Sequence, residues 1–219
     1  MLNVLLVTNH LLTNVLTQVS EDCLYLNIFV PTLSDGEEAS SLPVMVWLPG
    51  EGYDFADARQ FNGAYLAAMG RVIVITVQYR VGVFGFLKQN VGLWDQVAAL
   101  RWINENARSL GGDPDNVTLF GRFTGSMSIS ILLSSPQIIH SSTALFNRAI
   151  LMSGIAVGNW VFDKTNSDKV QQVMQDTECT ELNCLKSLSA EQLLEKSGYG
   201  WKPLIDMELI DEEPLVALR

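Results

Sequence analysis

Residues Asn116 to Gly125 read Asn-Val-Thr-Leu-Phe-Gly-Arg-Phe-Thr-Gly and run into Ser-Met-Ser-Ile-Ser-Ile. A strand entering a tight Gly-X-X-X-Gly turn and leaving as a helix is the local plan that holds a nucleophile out over a sheet. Acyl transfer from such a turn needs a middle residue with a lone pair to attack and a proton to surrender. The middle residue is Phe123, and its benzyl group has neither. Gly121, Arg122, Phe123, Thr124 and Gly125 therefore read as a degenerate elbow, with no catalytic residue assigned to it. No Gly-X-Ser-X-Gly occurs elsewhere in the chain. Thr124 and Ser126 are the neighbouring hydroxyls, but they fall in the first turn of the following helix. There they are expected to cap it or to face away from the pocket. Ser153 is expected to be a strand-end hydroxyl bonded to backbone.

The elements that must position this turn follow from periodicity. Strands are predicted at Leu24–Val30, Val44–Leu48, Val72–Gln78, Val117–Gly121 and Arg148–Met152. Helices are predicted at Asp57–Ala68, Leu93–Leu110, Thr124–Leu133, Ser167–Gln175 and Ala190–Lys196. Val72-Ile-Val-Ile-Thr-Val is a continuous apolar run, as in strands buried on both faces of a parallel sheet. Strands alternating with helices from Val72 onward predict βαβ units with right-handed crossovers. Leu93, Val97, Leu100, Ile103 and Ala107 recur at three- and four-residue steps, a helix face laid on the sheet. Phe61, Tyr65 and Leu66 are expected in the core. The polar stretch Thr32 to Ser41 reads as a hairpin-like excursion between the first two strands.

Composition narrows the function classes. The chain has 219 residues, enough for one medium domain or part of a larger one, and 48% of them are hydrophobic. Its formal net charge of −10 argues against nucleic-acid binding, which needs clustered Lys and Arg to neutralise phosphates. Two histidines and three cysteines make no convincing zinc set, and no Gly-rich phosphate loop follows a strand. No metal or cofactor is expected. No stretch approaches the roughly 18 apolar residues of a membrane-spanning helix. Asn116-Val-Thr118 has the form of a glycosylation sequon, but its place at the start of a predicted central strand argues against its use unless the side chain reaches solvent.

Several separate segments, in one order, resemble the type-B carboxylesterase and cholinesterase family: Ser20–Asn27, Leu42–Leu48, Val77–Leu87, Gly92–Ile103, Gly111–Pro114, Leu145–Ile150 and Met152–Gly154. The resemblance runs from Ser20 to Arg219 and implies the N-terminal part of an α/β-hydrolase fold, a mostly parallel sheet flanked by helices. It also implies that Pro49-Gly50-Glu51-Gly52 stands where the family keeps a His-Gly-Gly-Gly oxyanion loop. Such a loop aims N–H dipoles at developing negative charge, and a Glu51 carboxylate turned inward would oppose that charge. The family draws its acid and histidine from beyond the region matched. His10 and His140 match no catalytic position, and His140 reads as a surface or interhelical residue.

By the same resemblance, Cys179 and Cys184 correspond to a family disulfide loop, which implies an oxidising compartment. The alternative is two free thiols flanking a helical turn. Cys23 is left unpaired, because the family partner lies upstream where this chain has no cysteine. Residues 1–19 do not resemble the family and make a poor secretion signal, lacking a basic start and an unbroken apolar core. They are expected to be a leader from a mis-started reading frame, ahead of a partial family domain at 20–219. Two functions stay open. One is a non-catalytic homologue similar to the adhesion proteins of the neuroligin, glutactin and neurotactin type, extracellular and binding another protein. The other is a truncated copy of a carboxylic ester hydrolase with no activity in this chain.

Overall fold

In a computed structural model the described residues are 3–5, 20–32, 41–158, 160–163 and 167–212. In chain order the elements are β1 (Asn3–Leu5), β2 (Tyr25–Phe29), β3 (Leu42–Leu48), α1 (Ala64–Gly70), β4 (Ile73–Val77), α2 (Gly82–Phe86), α3 (Val91–Asn106), β5 (Gly112–Arg122), α4 (Thr124–Ser134), α5 (Pro136–Ile139), β6 (Arg148–Met152), α6 (Ser167–Asp176), α7 (Leu182–Ser187) and α8 (Ala190–Ser197). The strands form one six-stranded sheet in the order β1-β2-β4-β3-β5-β6. β4, β3, β5 and β6 run parallel, and β2 is antiparallel to β4. The expected mostly parallel sheet with helices around it is therefore present.

The core sits on β4 and the helices over it. All five β4 residues are buried, so the unbroken apolar run does mark a strand covered on both faces. Leu93, Val97, Leu100 and Ile103 of α3 are fully buried and Ala107 nearly so. Each such aliphatic side chain contributes roughly 1.5–3 kcal/mol relative to leaving it in water. β6 is different. It ends the strand order, and Ile150, Leu151 and Met152 are more than a third exposed.

Three sequence expectations are corrected. The stretch 32–41 does not join a hairpin, because β4 lies between β2 and β3; residues 33–40 themselves fall outside the described residues. The helix predicted over Asp57–Ala68 is split into a 3-10 turn, Ala58–Gln60, and α1. Asp57 caps the first piece through the Arg59 N–H, and Asn62 starts the second by accepting from the Ala64 N–H. Between them Gly63 passes so close to Val74 and Phe29 that a Cβ would overlap both. The break turns Ala67 inward, so Tyr65 is 77% exposed and Leu66 is partly exposed rather than core; Phe61 packs on the Trp47 ring at 4.8 Å. The short helices α2, α5 and α7 were not anticipated, since four to six residues are too few to show a helical period.

The C-terminal helices are tied together covalently as well as by packing. Cys179 and Cys184 form a disulfide, and Cys179 is buried against the core. Cys23 is the free cysteine, half-buried, and burial pushes its thiol above the ordinary value. By loop-closure entropy, a bridge across so short a loop stabilises by about 2 kcal/mol. Replacing Cys179 and Cys184 by alanine together is expected to lower the free energy of urea unfolding by that amount. An unchanged unfolding midpoint and slope would show that the bridge constrains nothing that the packing does not already hold.

Candidate functional site

Strand β5 ends at Arg122, α4 begins at Thr124, and Phe123 is the whole of the turn. Its backbone has φ 52° and ψ −116°, where a side chain with a Cβ is strained by about 1–3 kcal/mol. Two hydrogen bonds fix it. Its N–H donates to the Met152 carbonyl at 2.9 Å, and its carbonyl accepts from the Met127 N–H at 2.9 Å. The phenyl group is 43% exposed, standing out from the turn as a nucleophile would.

Four glycines let the chain close around this apex. A Cβ on Gly50 would overlap the Arg122 carbonyl and the Gly125 nitrogen; on Gly125 it would overlap the Leu48 carbonyl. One on Gly121 would run into Gly125, and one on Gly154 into the Phe123 carbonyl. The structure thus brings the two segments singled out in the sequence, Pro49–Gly52 and Gly121–Gly125, into backbone contact. Sequence spacing alone had not shown that they touch.

The Thr124 side chain decides what the loop can offer. Thr124 is buried, and its hydroxyl accepts a hydrogen bond from the Gly52 N–H at 3.0 Å. A donor of the Gly-rich loop is therefore already engaged within the protein. Ser126 is buried too, and its hydroxyl donates to the Gly154 carbonyl at 2.5 Å. Neither hydroxyl caps α4, so of the two expected roles capping is corrected: both bond instead to backbone of other loops, at Gly52 and Gly154. Ser153 is exposed with φ 53°, and His140 is exposed; His10 falls outside the described residues.

Glu51 opens a short excursion closed by a bridge to Phe55, with Gly52 at φ 86° and Tyr53 at φ 64°. This excursion is moored by Gln78 and Tyr79, from the family-like segment Val77–Leu87, and by Asp54, which no motif marks. The Tyr79 hydroxyl donates to the Pro49 carbonyl at 2.6 Å, and burial, with the nearby Tyr53 and Glu51, pushes that phenol well above its ordinary range. Gln78 spans the far side, donating to the Ala56 carbonyl and accepting from the Ala58 N–H. The Asp54 carboxylate accepts from the Gly200 N–H at 2.6 Å and the Trp201 N–H at 3.1 Å, tying the loop to the segment after α8. Behind them Arg80 makes a two-pronged pair with the buried Asp95, both contacts at 2.7 Å. Arg80 and Asp95 lie in two separate family-like segments, and only the fold shows that they pair.

A mixed sheet in which an interior parallel strand ends in a sharp positive-φ turn, followed at once by a helix, defines the α/β-hydrolase class. Solved structures agree: a PNB esterase superposes with a TM-score of 0.82 at 35% identity, covering 93% of this chain and 47% of the esterase. The chain belongs to the carboxylesterase family, whose sequence profile matches residues 6–219. Mouse carboxylesterase 5A is 40% identical over 217 residues, covering 91% of this chain and 37% of the relative. Mouse neuroligin-3 is 36% identical over 240 aligned positions, covering 91% of this chain and 28% of the relative. The chain spans less than half the length of these relatives.

Replacing Thr124 by alanine is expected to release the Gly52 amide. Loss of a hydrogen bond worth about 1 kcal/mol speeds its hydrogen exchange about fivefold, measured residue by residue by NMR. Unchanged exchange at Gly52 would show that the Thr124 hydroxyl does not hold it.

Proposed function

We propose that this chain is a non-catalytic member of the carboxylesterase family that acts as an extracellular binding or adhesion module. The observation that carries the reading is Phe123 at the apex of the elbow, where attack on a carbonyl has to begin. A phenyl ring can neither form the acyl bond nor pass on a proton. Two neighbours support it. The Gly52 N–H is turned to the Thr124 hydroxyl, and an oxyanion hole depends on donors held open for the transition state. Glu51 adds a negative charge to the same loop.

Binding is supported by what the loop displays. Phe55 is 55% exposed and lies 5.5 Å from the ring of Tyr199, which is 73% exposed. Exposed aromatic clusters of this kind are enriched where protein surfaces meet. Kinship with neuroligin-3 favours a binding role, and the Cys179–Cys184 disulfide favours an oxidising, secretory compartment. No helix among the described residues is long and apolar enough to cross a membrane.

Incubation with a chromogenic short-chain ester and a phosphonylating probe tests the reading. No turnover above background and no modified serine or threonine is the expected result; a covalent adduct on any hydroxyl overturns it. Phe123→Ser alone is expected to stay inactive, because Thr124 still holds the Gly52 N–H. Turnover in that single variant would show a site otherwise intact, contrary to the part assigned to Thr124.

A further inference from the structure

Asn116-Val-Thr118 is the one Asn-X-Ser/Thr sequence in the chain, and the folded chain can carry a sugar there only if the Asn116 side chain reaches solvent. Although Asn116 falls within β5, it is not held in the β3–β5 ladder. Leu42 pairs with Gly112 and Val44 with Val117, so Asp113, Pro114, Asp115 and Asn116 stand opposite Pro43 alone. These residues bulge from the N-terminal rim of the sheet. The Asp115 side chain is 84% exposed, and that of Arg108 beside it 73%. Asn116 is itself only partly buried, and its Oδ1 accepts from the Arg148 guanidinium at 2.5 Å in a solvent-facing contact. A guanidinium only donates, so this contact directs Oδ1 to the protein and leaves Nδ2 on the other side of the amide. The sequon does lie in β5 as expected, and the condition set for its use, a side chain that reaches solvent, is met at this rim.

We propose that Asn116 carries an N-linked glycan projecting from this rim. The site lies six residues before Arg122, about 20 Å along the strand from the elbow, toward the opposite end of β5. In the transfer, Asn116 Nδ2 bonds to the anomeric carbon of a lipid-diphosphate-linked oligosaccharide. The amide loses one proton, and the lipid diphosphate departs as the leaving group. An oligosaccharyltransferase of the secretory route, where that lipid-linked donor resides, catalyses the step. The inference rests on the secretory part of the proposed function, for which the Cys179–Cys184 bridge is an independent marker.

The whole chain, directed into the secretory route of animal cells by a fused leader, gives the test. Transfer takes place on the unfolded chain, so a variant that folds poorly is still scored. Peptide-N-glycosidase digestion is expected to shift the chain by one glycan and to convert Asn116 to aspartate in the mass spectrum. Asn116→Gln and Thr118→Val are expected to abolish the shift, and Thr118→Ser to keep it. Unmodified Asn116 in chains whose Cys179–Cys184 bridge has formed overturns the proposal and leaves the secretory reading standing. Unmodified Asn116 together with free thiols overturns both.

Discussion

The backbone at residue 123 has to reverse from strand to helix within a single residue, and the surrounding structure is organised around that demand. A residue with a Cβ resists φ 52°, so the conformation persists only because hydrogen bonds to Met152 and Met127 hold it from both sides. Gly50, Gly121, Gly125 and Gly154 are the other half of the constraint, since a side chain at any of them would push a neighbouring loop off the turn. The strain is retained although the residue that bears it is a phenylalanine. The elbow is thus a structural junction between β3, β5, β6 and α4, whatever side chain it displays.

Around the junction, polar groups fix the loop that apolar packing cannot. Tyr79, Gln78 and Thr124 each satisfy a backbone group of residues 49–58, and a short loop whose backbone is paired both to the end of β4 and to the start of α4 has few alternative conformations. Asp54 makes charge-assisted bonds to two successive N–H groups after α8, so the C-terminal helices and the Gly-rich loop are held in one arrangement. Lys169, 4.8 Å above the Trp201 ring and donating to the Tyr199 carbonyl, steadies the same corner.

The sheet combines a well-covered centre with an open flank. β4 and β3 are sealed by helices and by each other. β6 shows Ile150, Leu151 and Met152 to solvent, followed by exposed Ile155, Val157 and Trp160. Exposed strand edges invite pairing, and this one is apolar as well. The carboxylesterase relatives and the PNB esterase are each more than twice as long as the stretch matched here.

Much of the architecture could be read directly from the residues. β6 was predicted to its exact bounds at Arg148–Met152, and the α3 face of Leu93, Val97, Leu100 and Ile103 is buried as its spacing required, because a periodic apolar stripe has only one way to leave water. Phe123 and the loop Pro49–Gly52 were likewise visible as a motif. What the residues in order could not disclose was contact between distant segments: the Thr124 hydroxyl on Gly52, Asp54 on Trp201, and the bulge that lifts Asn116 out of the ladder. Hydrogen-bond partners and strand register across dozens of residues are chosen by the closed sheet, where each polar group takes the acceptor or donor that folding leaves beside it. Local pattern therefore determined which elements form and what chemistry Phe123 forbids, while the tertiary structure alone decided which groups meet.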